Sequence, residues 1–220
     1  MNRISYRNAI TDILVIAFLV LFPHYVPLPF YSYAVICFIV IIVYLKRQHR
    51  SLADLGISRN GLSIHAFITG ILSAIIWMVF IRFAFVPFMH HFFGRYMSDY
   101  TEYDFIKNNF RNLLLVTVAA WVVGGFYEEI VFRGFIQRTI QRWLPKHISS
   151  SWFAAVLTSV LFGLYHWQQG IFGVIHAGLC GLYWSFLLQR FKGNLWYPVI
   201  SHAAYDTIAL TLIYLNIASK

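Results

Sequence analysis

Residues 13–45 contain no Asp, Glu, Lys or Arg. A helix needs about 20 apolar residues to cross a hydrocarbon core, so this run is long enough for more than one crossing. Pro23, Pro27 and Pro29 divide it. The pattern predicts a membrane span over 9–25, a second over 30–45, and a short proline turn between them. The basic cluster Lys46-Arg47-Gln48-His49-Arg50 that follows places this end of the bundle, with the N-terminus, in the cytoplasm. Residues 51–61 are polar and contain Leu52-Ala53-Asp54-Leu55-Gly56-Ile57, which reads as a short interfacial helix. A third span is predicted over 62–85, with Arg82 near its end able to snorkel to the headgroups. Residues 86–111 are the longest polar stretch, and their aromatic residues and the pair His90-His91 suggest an interfacial segment. Adjacent histidines do not share a helical face, so a metal site there is poorly supported.

A fourth helix starts near Asn112 and runs through Gly134 toward Arg142, and Pro145 ends it. Arg138, Arg142 and Lys146 mark a cytoplasmic end. No charged residue lies between Lys146 and Arg190, and two spans fit, over 151–165 and 171–189. Gly170, Gly173, Gly178 and Gly181 allow close helix packing. A last apolar segment, 195–217, carries Pro198 near its start and one acid, Asp206. The count is about seven helices.

Composition agrees with this pattern. The chain is 60% hydrophobic and 11% charged, with a mean hydropathy of +0.66, whereas a soluble domain carries about 25% charged residues. The expectation is an all-α, polytopic transmembrane helix bundle of about six to eight helices, forming one integral-membrane domain over 1–220. The net charge of +9 does not point to nucleic acid. Its Lys and Arg residues flank apolar runs, as expected for cytoplasmic loops against anionic lipid. Cys37 and Cys180 lie in apolar stretches and indicate no disulfide framework. The first apolar run follows Arg3 and Arg7 as in a signal sequence, but no small-residue cleavage site follows it, so an uncleaved first span is expected.

The candidate chemistry lies inside these apolar runs. Residues 113–127 are uncharged and lead directly into Glu128-Glu129. Ionisable groups at membrane depth are costly and mark function. Glu129 and Arg133 are four apart and share a face, so they can form an ion pair. Glu128 is about 100° around the helix and is not aimed at Arg133. One glutamate therefore reads as neutralised and the other as free for chemistry. Downstream, Phe162 and His166 are four apart, as are His202 and Asp206. If Glu128, His166, His202 and Asp206 converge, they offer an acid/base group, a water-positioning imidazole and a polar clamp. His176 has no matching acid nearby and reads as a packing residue. Gly-x-Ser-x-Gly and His-Glu-x-x-His are both absent, which argues against a serine hydrolase and an ordinary zinc protease. The two glutamates, two histidines and aspartate remain suitable ligand types for zinc.

Glu128-Glu129-x-x-x-Arg133, Phe162-x-x-x-His166 and His202-x-x-x-Asp206 resemble, in order, three motifs of the CAAX protease and bacteriocin-processing (CPBP, or ABI) family, that of the CAAX prenyl endopeptidase. The resemblance covers 113–212, and Gly193-Asn-Leu-Trp-Tyr-Pro-Val-Ile-Ser-His202 is similar to the family's last motif region. It implies a glutamic-type intramembrane endopeptidase that uses no metal or other cofactor. Glu128 would activate a water with help from His166, and His202 and Asp206 would line the oxyanion site. Glu129 and Arg133 would support Glu128, with Phe162 beside the imidazole. The family often has Asn where this chain has Asp206, and an ionised Asp cannot donate a hydrogen bond. Asp206 must then be protonated, orient His202 or bind a metal.

The expected substrate is a membrane-associated peptide or a tail-anchored precursor, prenylated or not, and the expected location is a bacterial inner membrane. Two other readings stand beside this one: a non-catalytic immunity or scaffold protein, and a metal-dependent membrane hydrolase. In–out counting puts Glu128 toward the cytoplasmic end of its helix and His166 near the opposite end. Their meeting then requires a short or broken helix, for which Pro145, Gly163 and Pro198 are candidate positions.

Overall fold

The computed structural model describes residues 6–26, 28–93, 101–145 and 147–217. Arg3, Pro27, Lys146 and positions 94–100 of the long polar stretch lie outside them. Among the described residues the chain is all-helical, with no strand and seven long helices. These are α1 (Tyr6–Tyr25), α2 (Ser32–Arg47), α3 (Ile64–Phe93), α4 (Phe110–Trp143), α5 (Ile148–Tyr165), α6 (Gly170–Arg190) and α7 (Trp196–Tyr214). Four helices are long and apolar enough to cross a membrane: α3, α4, α5, and α6 with the short turn before it. A fifth crossing is counted if α2 and the segment 52–61, bent by 110° from it, form one broken span. The chain is a multi-pass membrane protein.

Local chemistry sets the helix ends. The Ser63 hydroxyl accepts from the Ala66 N–H at 3.1 Å and opens α3, and the Asn109 side chain does the same for Asn112 in α4. Pro198 sits in the first turn of α7, where its missing N–H costs nothing. The short helix expected in this segment is a single 3₁₀ turn, Leu52–Leu55. The turn is held by a reciprocal cap between Ser51 and Asp54 and ends at Gly56, whose φ of 90° favours glycine.

The third helix differs most from its predicted span. It continues past Phe85 to Phe93, through Pro87 and His90-His91. A π-helical turn at Ile81–Phe85 widens the winding just before Pro87, where a regular α-helix would collide with the proline ring. Arg82, in that turn, donates to the Ile217 carbonyl at 3.2 Å.

Helix α4 is the axis of the molecule. Every residue from Tyr127 to Gln137 is buried, including Glu128, Glu129 and Arg133. Two π-helical stretches, Ala120–Glu128 and Ile130–Gln137, make up this middle. Helix α7 lies against it at Gly125, where a Cβ would stand 2.6 Å from the Ala203 Cβ and 2.9 Å from the Val199 carbonyl. Helix α3 covers the other side of α7, with the Ser73 and Ser201 hydroxyls 2.9 Å apart. Gly125→Ala should therefore push α4 and α7 apart and cost about 1–3 kcal/mol, as overpacking of a tight core does. Thermal unfolding of the detergent-solubilised protein measures this. An unchanged melting temperature would mean that the two helices are not closely locked.

Candidate active site

Three helices bring the polar side chains together. Glu128, Glu129 and Arg133 come from the π-wound middle of α4, His202 and Asp206 from successive turns of α7, and Trp184 from α6. Glu129 lies at the centre of the cluster. Its Oε1 is 3.2 Å from Arg133 Nη1 and 2.8 Å from His202 Nδ1, and the Glu129 and Arg133 side chains are both fully buried. The expected i, i+4 pair is present, and it takes in the histidine of a second helix.

His202 has an acid on each side. Its Nε2 lies 3.5 Å from Asp206 Oδ2 and 4.0 Å from Glu128 Oε2. The Nδ1 contact with Glu129 is a hydrogen bond in which the ring donates to the carboxylate. At 4.0 Å, Glu128 is too far for a direct hydrogen bond to His202. The Glu128 and Asp206 side chains are 11% and 29% exposed, against none for Glu129, so the cluster is closed on the Glu129 side and opens past Glu128 and Asp206. Phenols of Tyr33, Tyr127 and Tyr165 lie within electrostatic reach of Glu128.

Aromatic rings pack against His202 and Arg133. Trp184 stacks on His202 with ring centroids 3.6 Å apart. The Arg133 guanidinium lies 4.2 Å over the Phe162 ring and 5.2 Å from Trp184. These faces receive a buried guanidinium whose nitrogens lack well-aligned hydrogen bonds. Phe162 also packs edge-on to both His166 and His202, at 4.6 and 6.1 Å between centroids. His166 caps the end of α5, and its Nδ1 is 2.9 Å from the Phe162 carbonyl. That bond fixes the tautomer with the proton on Nδ1 and leaves Nε2 as an acceptor. His166 thus stands at the border of the cluster, joined to it through Phe162, while Glu128, Glu129, Arg133, His202 and Asp206 form its centre. His176 is elsewhere, 2.7 Å from the Tyr205 hydroxyl and packed between Phe85 and Phe172, in keeping with a packing role.

Two contributors escaped sequence reasoning. A Cβ at Gly124 would stand 2.6 Å from Asp206 Oδ2, so that glycine lets the carboxyl lie on the α4 backbone. The pair Gly124-Gly125 ahead of the glutamates was a usable signal. Trp184 sits in an apolar run with nothing to distinguish it from lipid-facing neighbours. Among the described residues, no group of three His, Cys, Asp or Glu side chains is arranged to hold a metal ion.

The helix ends also resolve the expected mismatch in depth. Helix α4 continues 15 residues beyond Glu128 to Trp143, and α5 begins at Ile148 and runs 18 residues to His166. At a rise of about 1.5 Å per residue, Glu128 and His166 lie roughly 22 and 27 Å from the turn that joins the two helices. The predicted fourth helix, from Asn112 toward Arg142, has nearly these limits, and its glutamates lie mid-helix rather than at its cytoplasmic end.

Residues 110–208 match the family model described as Type II CAAX prenyl endopeptidase Rce1-like. That segment is just under half of the chain and contains all three motifs. The match bears out the resemblance to the CPBP family and supports an intramembrane CAAX-type protease acting on membrane-associated substrates. Comparison with curated proteins and with solved structures gives no match.

Proposed function

We propose that this Rce1-like chain is a glutamic-type endopeptidase of a bacterial cell membrane that cuts a membrane-associated peptide or tail-anchored precursor. The observation that carries the reading is the division between the adjacent glutamates. Glu129 is engaged by Arg133 and His202, whereas Glu128, on the open side of the cluster, makes no direct bond to His202.

Glu128 takes a proton from a water as its oxygen attacks the scissile carbonyl, and later returns a proton to the leaving amine. The acceptor nitrogen of His166 orients that water. His202, clamped by Glu129 and stacked on Trp184, donates to the carbonyl oxygen as negative charge develops there. Asp206, 3.5 Å from His202 Nε2, orients the ring while leaving that nitrogen to the substrate oxygen, and does not need to donate itself. Arg133 and His202 both engage Glu129, so its carboxyl is directed away from the water.

The test is cleavage of a synthetic membrane-anchored peptide by the purified, reconstituted protein, with bound metal measured by elemental analysis. Cleavage should continue, within about twofold, after treatment with a strong chelator, since no step passes through a metal. Stoichiometric zinc, with activity lost on chelation and restored by zinc, would transfer the water to a metal and end the glutamate mechanism.

A further inference from the structure

A second polar site lies at the other end of α4, away from the glutamates. A cavity of about 460 Å³ opens between the last turns of α4, the start of α5 and the end of α6. Its lining includes Arg138, Arg190 and Lys192 and contains no Asp or Glu. Among the buried nitrogens of these lining residues, Nε of Arg138 and Nε2 of Gln189 make no hydrogen bond. Arg138 is held in place through its other arm, since its Nη2 donates to the Gly193 carbonyl at 2.5 Å. Asp54 lies within electrostatic reach of Arg138, but it does not line the cavity and is engaged by Ser51. The N-terminus of α5, at Ile148, forms another wall, and no side chain caps it. Its helix dipole adds positive potential. Three cations and the start of a helix therefore border one space whose lining holds no acid.

The rest of the wall is apolar. Trp152 stacks on Phe186 with centroids 6.5 Å apart, and Ile148 is 82% exposed. Arg190 is the last residue of one candidate span and Ile148 the first of another, so the cavity lies where the hydrocarbon meets the headgroups. A soluble anion would use only the polar half of such a site. A molecule with a phosphate head and acyl chains would use both halves.

We propose that this cleft is a binding site for an anionic phospholipid, with its phosphate between Arg138, Arg190 and Lys192 and its chains against Trp152, Phe186 and Ile148. Basic pockets between membrane helices recognise anionic headgroups in this way. The site is independent of the peptidase reading and needs none of its residues.

The test reconstitutes the full chain in vesicles of about nine parts phosphatidylcholine to one part phosphatidylglycerol. Gentle detergent extraction follows, and native mass spectrometry counts the lipids retained. The protein should keep phosphatidylglycerol well above its share of the vesicle. The double variant Arg190→Gln/Lys192→Gln, at two exposed positions, should lower that retention by roughly tenfold or more. Trp152→Ala should lower it as well, since it removes the chain wall and leaves every cation. A control pair of equal charge change, Arg47→Gln/Arg59→Gln, exposed and outside the cleft, should leave retention as it was. Equal loss in the control would reduce the effect to general surface charge and overturn the site. Displacement of the lipid by inorganic phosphate, or full retention in Trp152→Ala, would show a soluble-anion site and overturn the lipid assignment.

Discussion

Glu128→Gln should leave a folded protein that cleaves its membrane-anchored substrate at least a hundredfold more slowly. The substitution keeps the shape and the hydrogen-bonding reach of the side chain but removes the base, and a positioned base contributes about 10²–10⁴ in rate. The loss should fall on kcat, because the water is activated in the transition state and substrate binding does not need that proton transfer. Little stability is expected to go with it, since Glu128 makes no direct bond to His202 and stands on the open side of the cluster. Steady-state cleavage and a thermal melt on the same preparation separate the two effects. Wild-type turnover in Glu128→Gln would remove Glu128 from the chemistry.

Glu129→Gln should behave in the opposite way, with a large loss of stability. Its carboxylate is the common partner of the fully buried Arg133 and of His202. A neutral amide would leave a guanidinium in the core of a membrane bundle with only the faces of Phe162 and Trp184 for compensation. Breaking one side of a buried ion pair costs about 3–5 kcal/mol. Replacing both partners with apolar residues, Glu129→Leu with Arg133→Met, should recover much of that stability, because the orphaned charge goes as well. The double variant should remain inactive, since His202 Nδ1 loses its acceptor. Melting temperatures of the three variants measure the coupling. A Glu129→Gln protein as stable as the parent would mean that Arg133 is satisfied by some other group.

The hydrophobic pattern located the helices well because membrane spans leave a signal of length and charge that does not depend on tertiary contacts. Helices α2, α5, α6 and α7 start and stop within a few residues of their predicted limits. The pair Glu129–Arg133 was legible because it is local, and His202–Asp206 for the same reason. What was not legible depends on winding and on neighbours. The π-helical middle of α4 has no proline to announce it. Its wider turns place Glu128 and Glu129 around the axis differently from the α-helical 100° step used for the sequence. The contact of Trp184 with His202 joins α6 to α7, and no spacing within either helix encodes it. The joint use of Glu129 by Arg133 and His202 was hidden for the same reason. Helix α3 was cut short because Pro87 and two histidines look like an exit from the membrane, and only the π turn before them lets the helix continue.

Asp12 in α1 is buried and accepts from the Tyr44 hydroxyl of α2 and, at 2.9 Å, from the Trp143 indole N–H of α4, with Arg142 4.0 Å away. These partners emerge from the ribosome at very different times. Tyr44 follows Asp12 by 32 residues and Trp143 by 131. At about 5–20 residues per second, the first arrives within roughly 2–6 s and the second only after roughly 7–26 s. For nearly half of its length, between the arrivals of Tyr44 and Trp143, the growing chain therefore holds an acid in its first helix with a single phenol as partner. The α1–α2 hairpin cannot complete its contacts with α4 until the last turn of that helix leaves the ribosome.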